Sequence, residues 1–180
     1  MSKYIVISGQ NNKYLMKKVL LFENNKIPKE KKNNEEQIFY EDEFTNQLPY
    51  IVNELLNDKF ENNEKYIKQV IIENIKRKLN GYKNQDTKKK IYDEHNFVSM
   101  QNVLELFTTQ LFNCYYCHEK CLLFYKYVRE YKQWTLDRID NSIGHISENV
   151  IISCLQCNLK RRNTNKDKFY QGCNLKITKL

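Results

Sequence analysis

The sequence predicts an α+β fold, with a mainly helical N-terminal region over residues 1–96 and a small cysteine-bearing domain over residues 97–180. Three observations carry this reading. Apolar residues recur at helical spacing in long stretches before residue 113. Cysteines pair as "CYYC" at 114–117 and as "CLQC" at 154–157. Between the pairs, the turn-like "DNSIG" precedes a β-branched run, "NVIIS".

Taken in order, "KYIVIS" (3–8) and "VLLFE" (18–22) have the composition of short strands, and the polar stretch 23–42 reads as a connection. Over 43–58, Phe44, Leu48, Ile51, Val52, Leu55 and Leu56 are spaced for a helix, which Pro49 starts or kinks. The clearest helix is 62–80, with Ile67, Val70, Ile71, Ile75 and Leu79 on one stripe. Asn80 and Gly81 make its expected stop, and the charged stretch 82–96 makes the expected boundary. Ser99 is placed to cap a helix over 100–112, whose Val103, Leu104, Phe107 and Leu111 face inward. The tyrosines at 115, 116, 125, 127 and 131 and Trp134 are expected in the core of the second domain.

Composition narrows the partners. The chain has 180 residues, is 41% hydrophobic and carries a formal charge of +8, enough apolar material to bury a core. A basic balance favours a polyanion, because each cation near a phosphate releases counterions; a Lys- and Asn-rich composition yields the same charge without a partner. No apolar run is long enough to span a bilayer, and the N-terminus lacks a secretory signal. An intracellular protein is therefore expected, in the cytoplasm or nucleus of a host, where grouped cysteines more often hold metal than form disulfides.

Each CxxC turn can direct two thiolates at one cation, and two such turns complete a tetrahedron. Cys114, Cys117, Cys154 and Cys157 are thus the candidate ligands of a structural Zn²⁺, with 36 intervening residues that can hold a hairpin. His118 and Cys121 rank lower as ligands, and Cys173 reads as a free thiol.

The order CxxC, LDRID, GH, ENV and CxxCN, followed by the basic "LKRR", resembles the HNH endonucleases. More narrowly it resembles their Cys₄-zinc branch, found in phages and large DNA viruses. The resemblance covers roughly residues 98–170. It implies a ββα-metal motif: "WTLDRID" (134–140) as first strand, "NVIIS" (149–153) as second, and a helix from Cys157 to about Tyr170. It also implies hydrolysis of DNA phosphodiester bonds with one catalytic Mg²⁺ or Mn²⁺, which neutralises charge on the scissile phosphate.

By motif position, Asp137 matches that ion's acidic ligand, Asn158 its second ligand or a phosphate-orienting residue, and Asn149 the residue that ties the hairpin loop together. Arg138 stands where the family usually places its general-base histidine. Arginine cannot act as a base near neutrality, but it can hold a phosphate oxygen. The base then has to come from Asp140, His145 or a metal-held water. Lys160, Arg161 and Arg162 fall on the face that the family lays against nucleic acid.

Blander readings stand beside these. Asp137 and Asp140 suit turn caps, His145 suits a satisfied core histidine, and Lys160–Arg162 suits a solvated helix face. Two other functions fit the same framework: a zinc-stabilised nucleic-acid-binding module that has lost hydrolysis, and a protein-interaction zinc ribbon.

Overall fold

The computed structural model describes residues 29–31, 52 and 65–175. The expected strands at 3–8 and 18–22 lie outside the described residues. So does the expected helix at 43–58 except for Val52, which is helical and fully buried.

The described elements run α1 (Lys65–Lys89), α2 (Met100–Thr109), β1 (Trp134–Arg138), β2 (Val150–Cys154), α3 (Leu155–Arg161) and α4 (Lys166–Asn174). The class is α+β, with a small two-stranded sheet among helices. No helix among the described residues is long and apolar enough to cross a membrane.

α1 carries the expected stripe, with Ile71 and Ile75 fully buried and Ile67, Val70 and Leu79 packed beside them. It does not stop at Gly81 but continues to Lys89. Glycine within a helix costs only about 1 kcal/mol relative to alanine, and later side chains of α1 hold the helix in place as described below. The helix ends at Lys90, whose φ of 58° turns the chain back and lets the Ile91 amide bond the Asp86 carbonyl (3.0 Å).

α2 starts at Ser99 through a reciprocal capping box with Asn102. It ends earlier than the sequence predicts. Leu111 and Phe112 both have positive φ, and this kink leaves Leu111 60% exposed instead of facing inward. Phe112 takes the buried place, stacked on Phe107 at 4.6 Å, and Phe107 meets Trp134 edge-on at 5.0 Å.

β1 and β2 pair antiparallel, Trp134 opposite Cys154 and Arg138 opposite Val150. A two-stranded sheet is marginal alone, because both outer edges expose unpaired backbone groups. Here side chains cover both. At β2 the amide of Gln110 accepts from Ile152 N (2.8 Å) and donates to Ile152 O (3.0 Å). At β1 three side chains of α1, each four residues after the last, do the equivalent work. Lys78 Nζ donates to the Trp134 carbonyl, Tyr82 Oη accepts from Leu136 N (2.9 Å), and Asp86 bonds the loop beyond the strand. Burial among Trp134 and Tyr125 brings Lys78 down to a pKa of about 7. Tyr82 is shifted above the usual phenol range, chiefly by burial.

The single helix expected over 157–170 is two. It breaks at Arg162, where φ is 51°, and α4 restarts on the Asn165 cap, which accepts from Asp167 N and Lys168 N. α4 then folds back on the first cysteine turn, with Phe169 against Tyr116 at 4.9 Å and Tyr170 against Tyr115 at 5.4 Å.

Candidate metal centre and the adjoining hairpin

The two cysteine pairs lie at the same end of the hairpin. The first sits in a tight turn where His118 N bonds Cys114 O (3.0 Å) and Cys114 N bonds Glu119 O (2.8 Å). The second spans the junction of β2 and α3, where Cys154 caps the helix by accepting from Cys157 N (3.4 Å). All four sulfurs lie within 4.8 Å of one another, and Cys117 Sγ is 3.9 Å from Cys154 Sγ. Tetrahedral zinc with Zn–S bonds of ~2.3 Å sets its sulfurs roughly 3.8 Å apart, so the cluster fits a Cys₄ ion. His118 lies outside this set, while Cys121 is buried in hydrogen-bonding range of Cys114.

The expected site residues divide between two sides of the sheet, because successive strand residues point to opposite faces. Asp137 turns toward α3. Its Oδ2 accepts from Arg161 Nε (2.6 Å) and from the Tyr116 hydroxyl (2.6 Å), and its Oδ1 accepts from Arg161 Nη2 (3.0 Å). Burial and this bond to Asp137 both raise the Tyr116 pKa. Asn158, on α3, donates to Thr135 Oγ1 (3.0 Å) and to the Leu136 carbonyl (3.4 Å), the residues just before Asp137.

Arg138 points away from that group. It is buried and donates to the carbonyls of Asn141 and Ile143, both at 3.2 Å, which braces the hairpin loop. Asn149 does the same from the short turn just before β2, donating to the carbonyls of Asp140 (2.9 Å) and Gly144 (3.0 Å) while accepting from Asp140 N (2.8 Å). That is the loop-tying part expected of it. Asp140 is exposed and caps its own turn through Ser142 N and Oγ, which hold its carboxyl below the usual range.

His145 is not brought to Asp137; it packs against α1. Its backbone N donates to Asp86 Oδ2 (2.6 Å), its Nδ1 lies 2.8 Å from Asp86 Oδ1, and its ring rests 4.5 Å from that of Tyr82. Burial holds its pKa below the ordinary histidine value, outweighing the attraction of Asp86. The neutral form is favoured, and a proton on Nδ1 would let the ring donate to the Asp86 carboxylate. Gly144 is required beside it, since a Cβ there would collide with the Ile91 carbonyl and come within 3.0 Å of Asp86 Oδ2.

The expected basic face of α3 is also divided. Lys160 and Arg162 are exposed, but Arg161 is 1% exposed and wholly engaged. It binds Asp137, the Arg138 carbonyl and the Thr164 carbonyl, and so is no free phosphate contact.

Asp86, Tyr82 and Lys78 were not singled out from sequence, and Tyr116 was expected only as a core residue, which its burial bears out, without its bond to Asp137. The one available signal was the four-residue spacing of Lys78, Tyr82 and Asp86, which the apparent stop at Gly81 obscured.

The divalent ion expected at Asp137 and Asn158 does not fit the arrangement there. Both carboxylate oxygens already accept from Arg161 or Tyr116. Among the described residues, the cysteines form the only group of three or more His, Cys, Asp or Glu side chains close enough to share an ion. Compared with protein-family models, curated proteins and solved structures, the chain matches none. Fold and site together define a mixed α+β protein whose four-cysteine cluster can hold a metal such as zinc.

Proposed function

We propose that the chain is an HNH-type endonuclease acting on DNA, its ββα unit built from β1, β2 and α3 and clamped at one end by Cys₄ zinc. One observation supports this above the others: the hairpin runs directly into a helix that sets Asn158 and Arg161 against the Asp137 strand. An acid, an amide and a guanidinium, on adjoining strand and helix, suit the binding of a phosphodiester. For the chemistry, this reading requires the Asp137–Arg161 pair to open when DNA binds, so that the Arg161 guanidinium could hold a phosphate oxygen.

A second reading is favoured by the closure of that same pair. With Asp137 held by three donors and Arg138 by two loop carbonyls, the domain suits DNA binding without hydrolysis.

Incubating zinc-loaded protein with supercoiled plasmid, with and without Mg²⁺ or Mn²⁺, separates the two. Nicking by the wild type, lost in Asn158→Ala and Asp137→Asn proteins of unchanged zinc content, is expected for the endonuclease. Binding with no nicking under any divalent ion leaves the second reading. Neither binding nor nicking would refute both.

A further inference from the structure

We propose that the hairpin loop is flanked by a second basic patch, Lys88 and Lys89 at the end of α1 and Lys90 just after it. With Arg162 beyond the loop's other side, it grips the phosphate backbone of duplex DNA. The proposal rests on the DNA-binding part of the function above, and extends it to a helix outside the HNH resemblance.

The direction of α1 puts the patch there. Lys78 meets the first residue of β1, Tyr82 the middle one, and Asp86 the loop after its end, so helix and strand run parallel. The lengths agree: eight helical residues advance about 12 Å, and four strand steps about 13 Å. Lys88 and Lys89 therefore form the last turn of α1 at the loop end of the sheet, and Lys90 reverses the chain just beyond. The Ile91 carbonyl that follows lies against Gly144 of the loop.

α3 reaches the same end from the other face. Arg161 binds Arg138 O, and the Arg162 carbonyl accepts from the Asn141 amide (2.8 Å), so Arg162 borders the loop as well.

The four cations are exposed, and among the described residues none makes an ion pair or a side-chain hydrogen bond. Of the acids in the adjoining turns, Asp93 accepts from His95 N and Asn96, and Asp140 from Ser142, so neither is ion-paired with these cations. Helix dipoles are the plainer reason for lysines at helix C-termini. Two such termini carry about one negative charge between them, against four positive groups here. The surplus is matched by a polyanion laid across a loop already braced by Asn149 and Arg138.

The test is fluorescence anisotropy of a labelled DNA duplex, titrated with full-length zinc-loaded protein at several KCl concentrations. Each lost phosphate contact lowers the log–log salt slope by about 0.9. The variant Lys88→Gln/Lys89→Gln/Lys90→Gln is expected to reduce the slope by roughly two to three at unchanged zinc content. A charge-matched variant at the far end of the sheet, Lys76→Gln/Lys120→Gln/Arg129→Gln, is expected to keep it. An unchanged slope in the first variant overturns the patch while leaving the proposed function standing. An equal fall in both also overturns it, since net charge alone would then explain binding. Wild-type protein that shows no salt-dependent DNA binding removes both the patch and the DNA reading it rests on.

Discussion

Arg161 joins parts of the chain that sequence separates. Through Asp137 it ties α3 to β1, and through the carbonyls of Arg138 and Thr164 it ties the strand end to the turn after the helix. Removing one partner of a buried pair strands a charge, which typically costs 3–5 kcal/mol, or about that much here. Arg161→Met is therefore expected to lower stability by about 3–5 kcal/mol in urea denaturation of the zinc-loaded protein. The double variant Arg161→Met/Asp137→Asn is expected to be more stable than the sum of the single losses, because no charge is left behind. Tyr116→Phe removes one bond to a charged acceptor and is expected to cost about 2 kcal/mol. The pair was not legible in the sequence. Asp137 and Arg161 lie 24 positions apart, and only the register of the hairpin with its helix brings them together. The loop-tying part of Asn149 was legible through its motif position, because its partners lie within nine residues.

Among the elements, α1 shows how a local signal can mislead. Gly81 reads as a stop, yet nothing lies within 4 Å of where its Cβ would be, and the helix passes through it. What holds the later turns is the contact of Tyr82 with β1 and of Asp86 with His145, the latter across 59 positions. The apolar stripe needed only periodicity and was visible. The polar ladder needed knowledge of a sheet edge and was not.

This docking carries a pH dependence. The folded His145 pKa lies below the ordinary value near 6.5, so the unfolded chain takes up the proton more readily. Stability contributed by neutral His145 is present above about pH 6.5 and is lost as pH falls through that value. Thermal melts between pH 7.5 and 5.5 are expected to show a smaller fall in Tm for His145→Gln than for wild type. Protonation of zinc thiolates is common to both proteins, so the difference isolates the histidine. Gly144→Ala forces a methyl against the Ile91 carbonyl and is expected to cost about 1–3 kcal/mol in the same melts.

At the scale of the molecule, the sheet is too small to hold itself, and three devices compensate. Side chains cover its edges, an aromatic core of Phe107, Phe112 and Trp134 lies beneath it, and the cysteines gather at one end. Cys114 and Cys117 fix the turn that α4 packs upon, and Cys154 and Cys157 fix the start of α3. An ion held by the four cysteines would orient Asn158 and Arg161 through the helix that carries them. The cysteine spacing exposed this centre in the sequence, since two CxxC turns state their geometry locally. The sequence did not reveal that Cys121 would lie beside Cys114, because that contact follows from how the first turn closes.

Structural zinc commonly contributes about 10–16 kcal/mol of apparent binding energy, more than most domains have in total stability. Native mass spectrometry of the purified chain, before and after Cys154→Ser and Cys121→Ser substitution, tests the clamp most directly. One zinc per chain is expected in wild type and in Cys121→Ser, with loss of the ion and of folded charge states in Cys154→Ser. A folded, metal-free wild type, or zinc kept by Cys154→Ser and lost by Cys121→Ser, would contradict it.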